Sequence, residues 1–137
     1  MNCELVFYLA TKTNLCEKAV TDSVSDMNLR LSPAKYATTP SKLGELVIDA
    51  FERAGVLFIV GGLSSFDSKG IENVLSRALA GKEPDELKKL KNPLSPYDGY
   101  LIRKGSQLMI VLPDEPDAVR AIVSGELESY LIDFTFI

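Results

Sequence analysis

The sequence predicts an α/β fold, a three-layer α/β/α sandwich around a mostly parallel, mixed sheet with one hairpin. Three observations carry this. Val56-Leu57-Phe58-Ile59-Val60 is a five-residue apolar run between glycines, too short for a typical helix, which is how a parallel strand buried on both faces reads. Gly61-Gly62 closes the run and a polar loop follows, Ser64-Ser65-Phe66-Asp67-Ser68; then Ile71, Val74, Leu75, Ala78 and Leu79 recur at helical spacing. Finally, strands and helices alternate along most of the chain, with one pair of strand-like runs, Tyr100 to Ile102 and Leu108 to Leu112, flanking Lys104-Gly105-Ser106 as a hairpin does. No repeat or linker divides the 137 residues, so residues 1–137 read as one domain.

Each element has a local reason. Residues 3–10, CELVFYLA, are apolar and rich in strand formers, and Thr11-Lys12-Thr13-Asn14 is a polar loop with capping residues. Leu15, Ala19, Val20, Val24 and Met27 recur helically until Ser32-Pro33 breaks the pattern. Residues 34–38 read as a short strand. Thr39-Pro40-Ser41 starts a helix with Ser41 at the N-cap; its stripe is Leu43, Leu46, Val47, Ala50, Phe51 and Ala54, and Gly55 stops it. After the central strand and its helix, Gly81 is a stop. Residues 82–92 are charged, a solvated linker with one or two helical turns over 85–90. Two prolines and a closing Asp98-Gly99 make 92–99 irregular. Beyond the hairpin, Pro113 to Pro116 starts a last helix whose face is Ala118, Val119, Ile122, Val123 and Leu127. Residues 130–137, YLIDFTFI, read as a helix tail followed by an edge strand.

Composition narrows the function. Hydrophobic residues are 46% and charged residues 25%, a globular balance, and the formal net charge of −4 offers no basic field for a nucleic-acid backbone. No apolar run approaches the roughly 18–20 residues that span a bilayer, and the first residues carry no basic leader; a cytoplasmic protein is expected. The two cysteines, Cys3 and Cys16, are too few for a disulfide framework or a zinc site, and Cys3 reads as a small buried residue. There is no histidine, which removes histidine general-base catalysis, Ser-His and Cys-His pairs and imidazole metal ligation.

Three motifs then stand in order: Gly61-Gly62-Leu63 before a polar loop and helix; Asn92-Pro93-Leu94-Ser95-Pro96-Tyr97-Asp98-Gly99-Tyr100; and, past Gly105, Leu112-Pro113-Asp114-Glu115-Pro116. In order and spacing they resemble the molybdopterin-binding domain family of molybdenum cofactor biosynthesis proteins, in particular its branch containing the N-terminal domain of the competence-damage-inducible protein CinA. Thr13-Asn14 resembles the family's Thr-Asn after the first strand. The resemblance implies a pterin or nucleotide-like ligand and a homo-oligomer, dimer or trimer; the apolar ending, Leu131 to Ile137, also asks for cover. It implies, too, a metal-dependent nucleotide pyrophosphatase (ADP-ribose type) or a molybdopterin adenylyl transfer. The acidic groups such chemistry needs are replaced. Leu9-Ala10-Thr11-Lys12 stands for the family's Gly-Asp-Glu-Leu-Leu loop, Ser41-Lys42 and Ser68-Lys69 stand for its two acidic pairs, and Asp114 stands for a glycine. A lysine cannot hold Mg²⁺, which takes oxygen ligands.

The expected site is therefore the loop end of the central strand: Gly61, Gly62, Ser64, Ser65, Asp67, Ser68 and Lys69, with Pro113 and Asp114 nearby and no metal ligands. Gly61 and Gly62 either let a ligand approach backbone N–H groups or simply make the strand-to-loop turn. The serines donate to an anion, or one of them, Ser68, is an N-cap. Lys69 pairs with a phosphate or is a solvated first-turn lysine, and Asp67 is a ligand group or a loop cap. The function expected is a non-catalytic ligand-binding or oligomeric module of the molybdopterin-binding type, with the metal-dependent enzyme as the alternative.

Overall fold

A computed structural model describes residues 2–25, 27, 29–62 and 84–135. The elements run β1 (Asn2–Tyr8), α1 (Thr13–Val24), β2 (Arg30–Leu31), β3 (Lys35–Ala37), α2 (Pro40–Arg53), β4 (Val56–Val60), β5 (Glu86–Leu90), β6 (Gly99–Lys104), β7 (Gln107–Leu112), α3 (Pro116–Val123) and α4 (Glu126–Thr135). Among the described residues one seven-stranded sheet has the order β2-β1-β4-β7-β6-β5, with β3 following β2 along the same side of β1. The pairs β1–β2, β1–β3, β1–β4 and β4–β7 are parallel, while β5–β6 and β6–β7 are antiparallel. The sheet is thus mixed and mostly parallel on one half, with the expected hairpin, β6–β7, closing the other.

The central run behaves as its composition requires. All five side chains of β4 are at most 1% exposed, and each contributes roughly 1.5–3 kcal/mol of transfer free energy on burial. Its residues alternate between two cores. Val56, Phe58 and Val60 meet Leu5 and Phe7 of β1, Leu108 and Ile110 of β7, Cys16, Ala19 and Val20 of α1, and the inner faces of α3 and α4. Leu57 and Ile59 meet Val6, Met109 and Val111 on the other face, under Leu43, Val47 and Ala50 of α2. Helices on both faces make the three layers.

Several local readings are corrected. Residues 86–90, ELKKL, form a strand rather than helical turns: among the described residues β5 pairs only with β6, and of its five residues Leu90 alone is fully buried. An edge strand needs little apolar content, and exposed Lys88 and Lys89 discourage further pairing. The last helix is two, interrupted at Ser124-Gly125, and helix continues to Thr135 where an edge strand was expected. Leu131 is buried and Phe134 packs on the α1-side core, so this much of the apolar ending is covered by the chain itself. In α1 the inward residue of the first turn is Cys16, while Leu15 is 59% exposed. The N-cap of α2 is Thr39, whose hydroxyl accepts the Lys42 N–H at 3.1 Å, with Pro40 opening the helix; Ser41 lies inside it. The helix expected after the central strand lies outside the described residues. Among the described residues no helix is long and apolar enough to cross a membrane.

Candidate functional site

The chain runs from β1 through α1 to β2 and β3 on one side of β1, then through α2 to β4 on the other. From β4 the sheet continues away from β1, to β7. The strands therefore part company between β1 and β4, and open α/β sheets hold ligands outside the carboxyl ends of strands at such a switch point. Here those ends are Tyr8 and Leu9 on β1 and Val60-Gly61-Gly62 on β4. The antiparallel register puts Gly99, the start of β6, beside Leu90 and next to the Tyr100–Val111 pair, so the 92–99 loop lies at this same end. All three sequence motifs thus lie at this end of the sheet: Gly61-Gly62 on β4, Leu112-Pro113-Asp114 on neighbouring β7, and Asn92 to Gly99 further along, between β5 and β6.

Gly61 has a structural reason for being glycine. Its φ is +109°, and a Cβ there would sit 2.1 Å from the Tyr8 carbonyl oxygen and 3.2 Å from the Ala10 Cβ. Its N–H donates to the Leu112 carbonyl at 2.9 Å, which takes that donor away from any ligand. Gly62, at φ +77°, occupies the left-handed region that glycine enters without strain. Gly61 therefore makes the turn, and Gly62, itself buried, continues it in the left-handed region.

Asp114 is not a free carboxylate. Its Oδ2 accepts the Thr11 N–H at 3.1 Å and the Thr11 hydroxyl at 3.3 Å. Beside it, the Lys12 ammonium donates to Glu115 Oε2 at 2.9 Å, and that contact holds the Lys12 pKa above its ordinary value. Thr11 follows β1 and Asp114 follows β7, yet β4 lies between those strands. The two loops consequently meet across the end of β4, where Ala10 lies against Gly61. Leu9, which starts the first loop, has φ +51°, a costly conformation for a residue with a branched side chain. Its N–H reaches the Ala37 carbonyl at 3.3 Å. Pro113 is buried between Leu112 and this clamp.

The Asn92 loop is likewise self-contained. Asn92, 4% exposed, donates its N–H to Asp98 Oδ1 at 2.8 Å and its side-chain amide to Ser95 Oγ and the Tyr97 carbonyl, and accepts from Leu94 N–H. The asparagine builds the loop, and its hydrogen-bonding capacity is spent there. Gly99 admits the Val111 carbonyl, which a Cβ would meet at 2.7 Å.

Of the other expected site residues, Ser41 and Lys42 lie in the first turn of α2, where Lys42 approaches Glu45 at 3.9 Å. Ser64, Ser65, Asp67, Ser68 and Lys69 lie outside the described residues. Sequence reasoning missed that Thr11 and Lys12 bind Asp114 and Glu115. Among the described residues no three Cys, Asp or Glu side chains are grouped as metal ligands. Both cysteines are buried and unpaired. Burial, aided by nearby Glu4, pushes the Cys3 thiol up to about 12. Burial and the Asp114 and Glu115 charges push Cys16 up to about 11. Neither is a poised thiolate.

No protein-family model matches this chain, and no curated protein matches it in sequence. Solved structures do match it over nearly full length. A protein CinA of unknown function from Thermoplasma acidophilum superposes with a TM-score of 0.79 at 14% identity, covering 96% of this chain and 100% of that one. The molybdopterin biosynthesis enzyme MoaB from Thermus thermophilus gives 0.73 at 12% identity over 99% and 97% of the two chains. A MogA structure gives 0.68 at 15% over 98% and 99%. The α/β/α fold described above is the one these proteins share.

Proposed function

We propose that this chain is a molybdopterin-binding-type domain that acts as a ligand-binding module, taking a pterin or nucleotide-like anion at the carboxyl ends of β1 and β4. The observation that carries the reading is the switch point itself, between the carboxyl ends of β1 and β4. The fold shared with MoaB, a molybdopterin biosynthesis enzyme by name, supports the pterin class. So does the order of the three motifs, which the fold gathers at one end of the sheet. Support for a non-catalytic module comes from the residue types. Ser41-Lys42 lie in the first turn of α2 and Ser68-Lys69 come after Gly62 in the sequence, so at both places where the family resemblance would put the carboxylates of metal-dependent phosphoryl chemistry the chain carries a lysine instead. Asp114 and Glu115 are already bound to Thr11 and Lys12. The anion is held by backbone N–H groups beyond Gly61 and by Lys69.

Calorimetric titration with ADP-ribose and with a pterin phosphate tests this, with and without Mg²⁺. The parent binds one of them equally well in both conditions, and Lys69→Asp weakens binding roughly tenfold, as loss of a charge-assisted contact does. Metal-dependent turnover of either probe would put the enzyme reading first, and silence toward both would remove the ligand class.

A further inference from the structure

We propose that Asp114 is a latch: it holds the β1–α1 loop down over the end of β4 and closes the switch-point crevice on the α1 and α3 side, leaving it open toward α2. Three observations meet in this. The loop is tied from a distance, since Thr11 and Asp114 are 103 residues apart and belong to strands that do not touch. The two helices that follow these loops, α1 and α3, pack on the same core, so the tie lies on their side of the sheet. The loop is also held against local preference. Leu9 at φ +51° is strained, and a chain in that conformation relaxes when its restraints are removed. The restraints seen are the Leu9–Ala37 bond, the Thr11–Asp114 pair and the exposed Lys12–Glu115 pair. Thr11 is exposed, so its bonds to Asp114 open at a cost of the order of ordinary solvated hydrogen bonds. Buried Asn92 at the same end has no such freedom.

The latch rests on the crevice reading for its purpose only, and its test needs no ligand. Cys16 is fully buried one turn into α1, and its N–H is bonded to the Lys12 carbonyl at 3.0 Å. Opening the loop frays that turn and bares the thiol. Cys3, equally buried at the far end of β1, reports global opening instead. The experiment is maleimide labelling of the full chain under native conditions at pH 8, with peptide mapping to separate the two thiols. Asp114→Ala raises the Cys16 rate roughly five- to tenfold, the ratio that a lost pair of hydrogen bonds gives, and leaves Cys3 unchanged. Asp114→Asn keeps an oxygen acceptor for Thr11 and stays within about twofold of the parent. Should Asp114→Ala not fold, Thr11→Val, which removes only the hydroxyl donor, speeds Cys16 roughly two- to threefold in the same assay. A Cys16 rate that no variant changes, or that rises only together with Cys3, overturns the latch.

Discussion

Glu4 and Asp114 both fasten a loop or helix to the sheet through a carboxylate, at opposite ends of it. Glu4 lies near the amino end of β1, 6% exposed. It accepts two bonds from one Arg53 nitrogen, at 2.8 and 3.0 Å, and a third contact from Lys35 at 3.1 Å. Arg53 closes α2 and also pairs with Asp49, so this brace pins the helix to the sheet. Glu115 is exposed and Asp114 half-buried, and their partners are one exposed lysine and one exposed threonine. The chemistry is alike and the surroundings differ. A carboxylate out of water cannot lose its cations without being stranded, whereas one in water trades a partner for solvent at little cost. The brace at the amino end is thereby harder to break than the clamp at the carboxyl end.

Gly61→Ala tests the floor of the carboxyl end and carries the largest effect. The new methyl would meet the Tyr8 carbonyl at 2.1 Å in a backbone conformation alanine rarely adopts. Clash and strain together cost at least about 3 kcal/mol, seen as a large loss of urea midpoint or failure to fold. A variant with parental stability would mean that β1 and β4 separate more easily at this end than their contacts imply. Arg53→Met comes next. It leaves buried Glu4 with Lys35 alone and clearly lowers the urea midpoint; an unchanged midpoint would erase the contrast between the two ends. Lys12→Met is the smallest. Its partner is an exposed glutamate, so the loss is barely measurable and vanishes in high salt. A salt-independent loss larger than that of Arg53→Met would invert the comparison.

How legible this was depends on whether the determining contacts are local. β4 was legible because five apolar residues between glycines have one good explanation, and α2 because its stripe recurs cleanly. β5 was not: an edge strand buries one residue of five, Leu90, so Glu86, Lys88 and Lys89 swamp the pattern. The break at Ser124-Gly125 hides inside a face that continues through Leu127. Gly61 was legible as special, but the Tyr8 carbonyl that makes it so comes from another strand. The Thr11–Asp114 clamp left no local trace, since neither a threonine in a polar loop nor an aspartate before a helix is unusual. Its only hint was Asp114 standing where the related motif has a glycine.

The pairing of β4 also has a consequence in time. One side of β4 is completed by β1, made before it; the other waits for β7, and Val60 finds Leu112 about 50 residues later. At ~5–20 residues per second, synthesis leaves that edge unpaired for roughly 3–10 s. The waiting strand is VLFIV, without a charge or a proline to deter a stranger. A strand buried along its whole length in the finished molecule is thus a liability on the ribosome, and the speed with which the β6–β7 hairpin forms and docks sets how long that window lasts.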